Sequence, residues 1–349
     1  MDEVALLDGL LRQYSPTGRE SGAVNMLVGA MNAMGFTAGV DAIGNAVGNR
    51  GAGPRHLVLL GHIDTVTGDI PVHQQDGCLY GRGSVDAKGP LACFTAAAAR
   101  VEVPSGWRLS VIGAVGEEGD SRGARYLCQN MTPPDMVIIG EPSGWERVTL
   151  GYKGSLWFRY RVGVSLEHTA ARGQSACEKA VAFWNRLEAA CADWNAGRER
   201  VFEQLTPSLR EMNSASDGFT DTASLHVNLR LPTGLDQAAL EAMVRAVMET
   251  GDFHTEDFIP AYRVEKNQPL VRAFLAAIRK SGGQPGFTLK TGTADMNLAG
   301  PAWNCPVVAY GPGDSNLDHT PQEHILISEY RAGIDVLARV LETIMAGGF

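Results

Sequence analysis

Two histidines and a set of carboxylates fall at matching places in this chain, each just after a short apolar run. His56–Leu60 (HLVLL) leads into Gly61-His62-Ile63-Asp64, and Leu109–Val115 (LSVIGAV) into Gly116-Glu117-Glu118-Gly119. Met136–Gly140 (MVIIG) leads into Glu141-Pro142, and Val307–Tyr310 leads shortly to Asp318-His319. Acids placed directly after buried strands are costly unless something pairs with them. In an open α/β sheet, sites lie just outside the carboxyl ends of the strands, so residues far apart in sequence should meet on one rim. Asp86 closes the glycine-rich turn Gly81-Arg82-Gly83-Ser84-Val85-Asp86 and is expected to face that rim too.

Imidazoles and carboxylates without thiolates suit zinc or another first-row divalent ion. Five ligand candidates are too many for one tetrahedral ion. They fit two ions that share a bridging carboxylate, about 3.5–4 Å apart. Asp64 lies two residues after His62, on the same side of an extended segment. It is placed to accept a hydrogen bond from the ring nitrogen that holds no metal. Each residue also has an ordinary reading. A lone histidine is more often structural than a ligand, and adjacent acids such as Glu117-Glu118 usually form a solvated turn. Recurrence at four strand ends weighs against that account.

These residues need a scaffold. A chain of 349 residues is too long for one small core and implies two domains. The strand candidates His56–Leu60, Leu109–Val115, Met136–Ile139 and Val307–Tyr310 are short and apolar, as strands covered on both faces are. The segments 6–11, 24–34, 91–101, 270–280 and 328–345 read as helices. Alternating strands and helices predict an α/β fold with a mostly parallel central sheet and flanking helices. From about residue 151 the pattern changes. Ser155–Val164 and Ala223–Leu231 alternate like half-exposed antiparallel strands, and Ala176–Trp194 and Leu235–Glu249 read as helices. The expected organisation is a discontinuous α/β domain carrying the rim residues, 1–151 and 262–349, interrupted by a smaller α+β domain, 152–261, in which an unpaired edge strand would be a natural dimerisation surface.

Composition narrows the class. Thirty Lys+Arg against 39 Asp+Glu give a net charge of −9, a poor match to nucleic-acid backbones. No apolar run reaches the roughly 18 residues of a membrane span. The N-terminal stretch is acidic and amphipathic, unlike a secretory or transit peptide, which predicts a cytoplasmic protein. The six cysteines form no C-x-x-C pair, which argues against a disulfide framework or a thiolate zinc site. A nucleotide-binding reading of GRGSVDAKG fails, because its glycines do not follow G-x-G-x-x-G and no P-loop lysine follows.

Taken together, GHIDTV, GRGSVDAKG, GEEGDSRGA, IIGEPS and GPGDSNLDHTPQEHI resemble the ordered motif set of the zinc-dependent aminoacylase and peptidase family. That family includes succinyl-diaminopimelate desuccinylases and acetylornithine deacetylases. TGTADMN, at 291–297, and the short length are similar to the lysine and ornithine deacylases of the amino-carrier-protein pathway. The resemblance implies two divalent ions, zinc with cobalt as the alternative. It makes His62, Glu141 and His319 terminal ligands, Asp86 the bridge, Glu118 a further ligand and Glu117 the general base. It also implies a cis peptide bond between Asp86 and Ala87.

In relatives a histidine at the place of His168 reaches the partner subunit's active site and helps hold the oxyanion. The surrounding LEHTAARGQSACEKA lacks the proline that family members often carry there. Arg230 looks like the residue that binds the substrate's α-carboxylate, for which a planar guanidinium is suited. Asn228 shares its strand face, and Gly292, Thr293 and Asp295 would line the pocket.

The leading reading is a homodimeric two-metal amidohydrolase. It would release lysine or ornithine from an acyl group, either the γ-glutamyl end of an acidic amino-group carrier protein or the acetyl group of a small acyl-amino acid, in lysine or arginine biosynthesis. A second reading on the same fold is a succinyl-diaminopimelate desuccinylase or dipeptidase. A third, of another class, is a non-catalytic metal-binding dimer. Glu117 argues against the third, since a binding module needs no base beside its ligands.

Overall fold

The computed structural model describes residues 2–168 and 173–347. The chain divides into two compact units. One comprises Met1–Gly151, Val264–Leu289 and Ala294–Phe349, and the other Tyr152–Arg263 with Lys290–Thr293.

The first unit is built on a mixed sheet. Its middle consists of four parallel strands in the order Trp107–Ala114, Arg55–His62, Met136–Gly140 and Val307–Tyr310. Antiparallel strands extend it at both ends: Ala46–Arg50 and Thr37–Val40 on one side, Arg147–Tyr152 on the other. The parallel strands are buried along almost their whole length, which is why they read as unbroken apolar runs. Helices Glu3–Leu11, Lys88–Arg100, Pro269–Lys280 and Ile327–Met345 contribute Leu6, Leu10, Leu91, Phe94, Phe274, Leu337 and Leu341 to the core that covers this sheet. Ala96, Ala97 and Ala98 keep the middle helix thin. Close approach also needs glycine below it: a Cβ on Gly140 would stand 2.9 Å from the Phe94 ring and 3.1 Å from the Gly61 Cα. That packing brings the helix start, and Asp86 just before it, to the carboxyl ends of the strands.

The second unit has a four-stranded antiparallel sheet in the order Thr206–Ser216, Thr220–Leu231, Gly154–Ser165 and Asp252–Ile259. Alternate residues of the Gly154–Ser165 strand are buried. Helices Ala176–Asn195 and Gln237–Ala246 supply Ala180, Phe183, Leu187, Leu240 and Val244 to the same core as Leu156, Phe158, Tyr160, Leu225 and Val227. The longer helix starts at a reciprocal cap between Ser175 and Glu178.

Two of these four strands differ from the expected strand–helix–strand–helix pattern. Thr206–Ser216 (TPSLREMNSAS) is an exposed edge strand with a proline and a bulge, so it carries no apolar alternation. Asp252–Ile259 is interrupted by a bulge between Thr255 and Asp257, which breaks its period. The helix expected over 235–249 is shorter, because Asp236 caps it at Ala239 N and fixes its start. Among the described residues no helix is long and apolar enough to cross a membrane.

Candidate metal centre

The four parallel strands deliver their polar residues to one place. His62 ends the strand Arg55–His62 and is 1% exposed. Its Nδ1 meets the main-chain carbonyl of Asp64 at 3.0 Å. A carbonyl only accepts, so Nδ1 carries a proton, and Nε2 is the ring nitrogen turned toward the carboxylates. That nitrogen stands 3.1 Å from Asp86 Oδ1 and 4.0 Å from Glu141 Oε1. The other oxygen of Asp86, Oδ2, is 3.1 Å from His319 Nε2, which in turn is 3.0 Å from Glu118 Oε1. Asp86 therefore faces a different histidine with each oxygen, and each histidine has one further glutamate beside it.

The grouping gives three sets whose ligand atoms lie within 4.8 Å of one another: His62–Asp86–Glu141, Asp86–Glu118–His319 and His62–Glu117–Glu118. His319 takes a left-handed backbone (φ 62°), rare outside glycine. The Asp86–Ala87 peptide bond is cis, as the resemblance implied.

Charge is the dominant feature of the cluster. Burial pushes Glu117 and Glu141 well above the usual carboxylate range; nearby acids add to this and His62 opposes it. Burial raises Glu118 in the same way, against the hydrogen bond from His319. Asp86 is instead held low, because His319 and His62 overcome the cost of its burial. His319 is raised to about 10 by Asp86 and Glu118. His62 is raised as well, since its carboxylate neighbours Asp64 and Asp86 outweigh burial. Carboxylates crowded around two imidazoles, with little water to screen them, form a place for cations. The donors are oxygen and imidazole nitrogen, the set that divalent zinc, cobalt or manganese accepts.

Asp64 differs from the expectation in one respect. The hydrogen bond from His62 falls on the Asp64 main chain, while its carboxylate Oδ1 stands 3.6 Å from Nδ1. The fully buried carboxylate is turned to other donors. It accepts from Glu117 N at 3.0 Å, Glu118 N at 3.1 Å and Thr17 Oγ1 at 2.7 Å. Asp64 thus ties the end of one strand to the turn that carries both glutamates.

Asp295 is buried before the helix Met296–Trp303, and its Oδ1 has no hydrogen-bond partner among the described residues. Burial raises its carboxyl to about 7, with His62 opposing and Asp64 adding to the shift.

The second unit holds the remaining candidates. His168 is exposed, three residues past the strand Gly154–Ser165, and Thr169–Arg172 lie outside the described residues. Asn228 is buried and donates to Ser155 Oγ at 2.7 Å. Arg230 is half-buried, and its Nη1 donates to Thr293 Oγ1 at 3.4 Å, which brings those two together. Gly292 is also partly exposed. Two residues that sequence reading did not single out also serve the first unit's cluster. Thr17 holds Asp64, and Glu323, inside the quoted PQEHI stretch, holds the main chain around Asp86. Neither forms a spacing pattern with its partners that sequence alone would reveal.

Residues 58–343 match the model of peptidase family M20/M25/M40. The chain is 43% identical, over 95% of its length and 94% of the relative's, to a Deinococcus radiodurans protein named LysW-lysine hydrolase. It is 42% identical, over 98% of its length and 92% of the relative's, to a Thermococcus kodakarensis protein with a provisional LysW-lysine/LysW-ornithine hydrolase name. Among solved structures it resembles an M20 family metallo-carboxypeptidase from Sulfolobus solfataricus, with a TM-score of 0.79 and 17% identity over 99% of this chain and 100% of that one. Aminopeptidase PepT from Bacillus cereus is similar, with a TM-score of 0.78 and 18% identity over 99% of both chains.

Proposed function

We propose, for a chain that belongs to peptidase family M20/M25/M40, an amide hydrolase that releases lysine or ornithine from an amino-group carrier protein in amino-acid biosynthesis. The substrate is the amide between the γ-carboxyl of a carrier glutamate and the α-amine of the amino acid. In this reading the LysW of the relatives' names is such a carrier. The observation that carries the reaction class is the geometry of Asp86, whose two oxygens each lie 3.1 Å from a different histidine. Near-full-length identity to the named hydrolases supports the substrate class.

In this reading His62, Glu141, Asp86, Glu118 and His319 would hold two divalent ions, zinc or cobalt. Such a pair supplies Lewis acidity, which polarises an amide carbonyl and acidifies water. Glu117 is the base. Burial raises its carboxyl above the usual carboxylate range, which makes it a stronger proton acceptor. It accepts a proton from the attacking water as the carbon–oxygen bond forms. It then passes that proton to the leaving α-nitrogen as the carbon–nitrogen bond breaks, giving the free amine and the carrier carboxylate. Asp64 keeps Glu117 aimed through its main-chain nitrogen. Arg230 would pair the α-carboxylate of the released amino acid with its planar fork, beside Asn228, Gly292 and Thr293 of the same unit, and Asp295 would serve the first unit's cluster.

We also propose a homodimer formed through the second unit, with His168 contributing to the partner's site. The strand Thr206–Ser216 lies at a sheet edge with residues 210–216 exposed. Leu166, Met212 and Phe219 are exposed apolar side chains in the same unit, 51%, 44% and 83% accessible. An open edge with apolar neighbours is a surface that a second copy can cover. All six cysteines are free, which supports a reducing, cytoplasmic setting.

The test is kcat/KM on carrier-linked lysine and ornithine beside acetyl-lysine, acetylornithine and succinyl-diaminopimelate. The carrier-linked substrates should be preferred at least tenfold. Equal or better use of a free acyl-amino acid would replace this reading with the small-molecule one.

A further inference from the structure

Glu323 is fully buried, yet it takes no place among the ligand candidates. Its Oε1 accepts three main-chain hydrogen bonds from the turn before Asp86: Gly83 N at 3.1 Å, Val85 N at 2.9 Å and Asp86 N at 3.0 Å. Its Oε2 accepts from Arg82 Nη1 at 2.7 Å, and Arg82 Nε donates to Gly68 O at 2.9 Å. One carboxylate thus fills a cradle of converging amide N–H groups, as an anion does in a backbone nest. The turn is shaped for it. Gly83 has φ 89°, and a Cβ there would stand 2.9 Å from Thr65 Cγ2.

The position of Glu323 in the chain matters as much as its contacts. It follows His319 by four residues, on the segment that leads into the strand His324–Leu326. That strand pairs with Cys78–Tyr80, just ahead of the clamped turn. The same short segment therefore carries a histidine that faces Asp86 Oδ2 at 3.1 Å and a carboxylate that grips the Asp86 main chain. His62 and Glu141 sit at the ends of rigid strands and need no such help. His319 is half-exposed on an irregular segment outside any strand, so contacts of this kind bear on its distance from Asp86.

Building on the two-ion reading above, we propose that Glu323, with Arg82, is a positioning residue: it sets the Asp86–His319 spacing and so the affinity for the ion between Asp86, Glu118 and His319. A carboxylate held by four donors gives geometric definition, as buried polar groups do in some systems. Without it, three buried amides lose their acceptor and the turn is free to rearrange.

The test is a Co2+ titration of metal-free protein, read by visible absorption and by bound cobalt after equilibrium dialysis. Wild type, Glu323→Gln, Glu323→Ala and Arg82→Gln are compared, each first checked for a cooperative melt. Glutamine keeps an acceptor for the amides but sets an N–H group against Arg82, while alanine removes the clamp. Wild type should bind two ions per chain. The variants should bind the ion at Asp86, Glu118 and His319 roughly 10- to 100-fold more weakly, the range seen when groups supporting metal ligands are removed, with a smaller loss for the ion at Asp86, His62 and Glu141, two of whose ligands sit at strand ends. A wild type that fails to take two ions overturns the two-ion reading itself. A wild type that takes two, with folded Glu323 variants binding both at wild-type affinity, overturns this inference alone. Should neither Glu323 variant fold, Arg82→Gln decides by the same titration: weaker binding at Asp86, Glu118 and His319 supports the clamp, and unchanged affinity overturns it.

Discussion

Asp64 Oδ1 accepts a hydrogen bond from the main-chain nitrogen of Glu117 at 3.0 Å. Through it, the strand that ends in His62 fixes the turn that carries Glu117. The other oxygen of Asp64 holds Glu118 N and the Thr17 hydroxyl, so one buried carboxylate orders three segments around the cluster.

Replacing Asp64 with asparagine keeps the volume but puts an N–H group where an acceptor is needed by two amides and a hydroxyl. Turnover should fall roughly 10- to 100-fold, as when groups behind metal ligands are lost. Steady-state kinetics at saturating metal check this. Thr17→Val removes only one donor and should cost less. Wild-type kcat in Asp64→Asn would mean that the turn is held by other contacts.

His56 gives a pH effect separate from the metal cluster. It is buried, and its Nδ1 accepts from Arg108 Nη2 at 2.8 Å, which leaves the ring neutral with Nε2 donating to Ser110 Oγ at 2.7 Å. Burial and the Arg108 charge lower it to about 4. Below pH 6.5 the unfolded chain takes up a proton that the folded chain refuses until pH 4. The stabilisation is therefore present above 6.5 and lost as pH falls through that window. After allowance for partial solvent screening the loss is about 1–2 kcal/mol. Urea unfolding of wild type and His56→Gln at pH 7 and pH 4.5 should show the gap between them shrinking at the lower pH. A gap that widens would contradict the assignment.

Arg230→Ala should lower kcat/KM roughly 10- to 100-fold by removing charged hydrogen bonds to the α-carboxylate, at about 1.5–3 kcal/mol. A lysine there should restore only part, since an ammonium lacks the planar fork. An amide substrate whose α-carboxylate is blocked should be used equally by wild type and variant. Discrimination that persists on the blocked substrate would remove Arg230 from this role.

Subunit mixing checks the shared site. His168→Ala and Glu117→Gln homodimers should each be inactive, and verified heterodimers should recover up to about one wild-type site per dimer, half the activity of a wild-type dimer, because one site then carries both native residues. No recovery, or a monomer at assay concentration, would count against His168 acting across the interface.

The parts of this molecule that sequence made legible are those with two buried faces. Met136–Gly140 and Val307–Tyr310 show as plain apolar runs because every position is covered, and the acids and histidines just beyond them mark the rim. Thr206–Ser216 stayed hidden because an exposed edge strand places no apolar demand on its residues. Asp64 was legible by its spacing from His62, but not the atom it uses, since a carbonyl and a carboxylate two residues away look alike in sequence. Glu323 was hidden for a further reason. Its partners include main-chain amides 237 to 240 residues away, and amides carry no side-chain signature.

The central claim is that two ions and Glu117 together hydrolyse the amide. It is tested most directly by measuring metal content and turnover on one preparation of Glu117→Gln. The account predicts two divalent ions per chain, as in wild type, with kcat on carrier-linked lysine reduced roughly 10²- to 10⁴-fold. Near-normal kcat in that variant with both ions bound would contradict it.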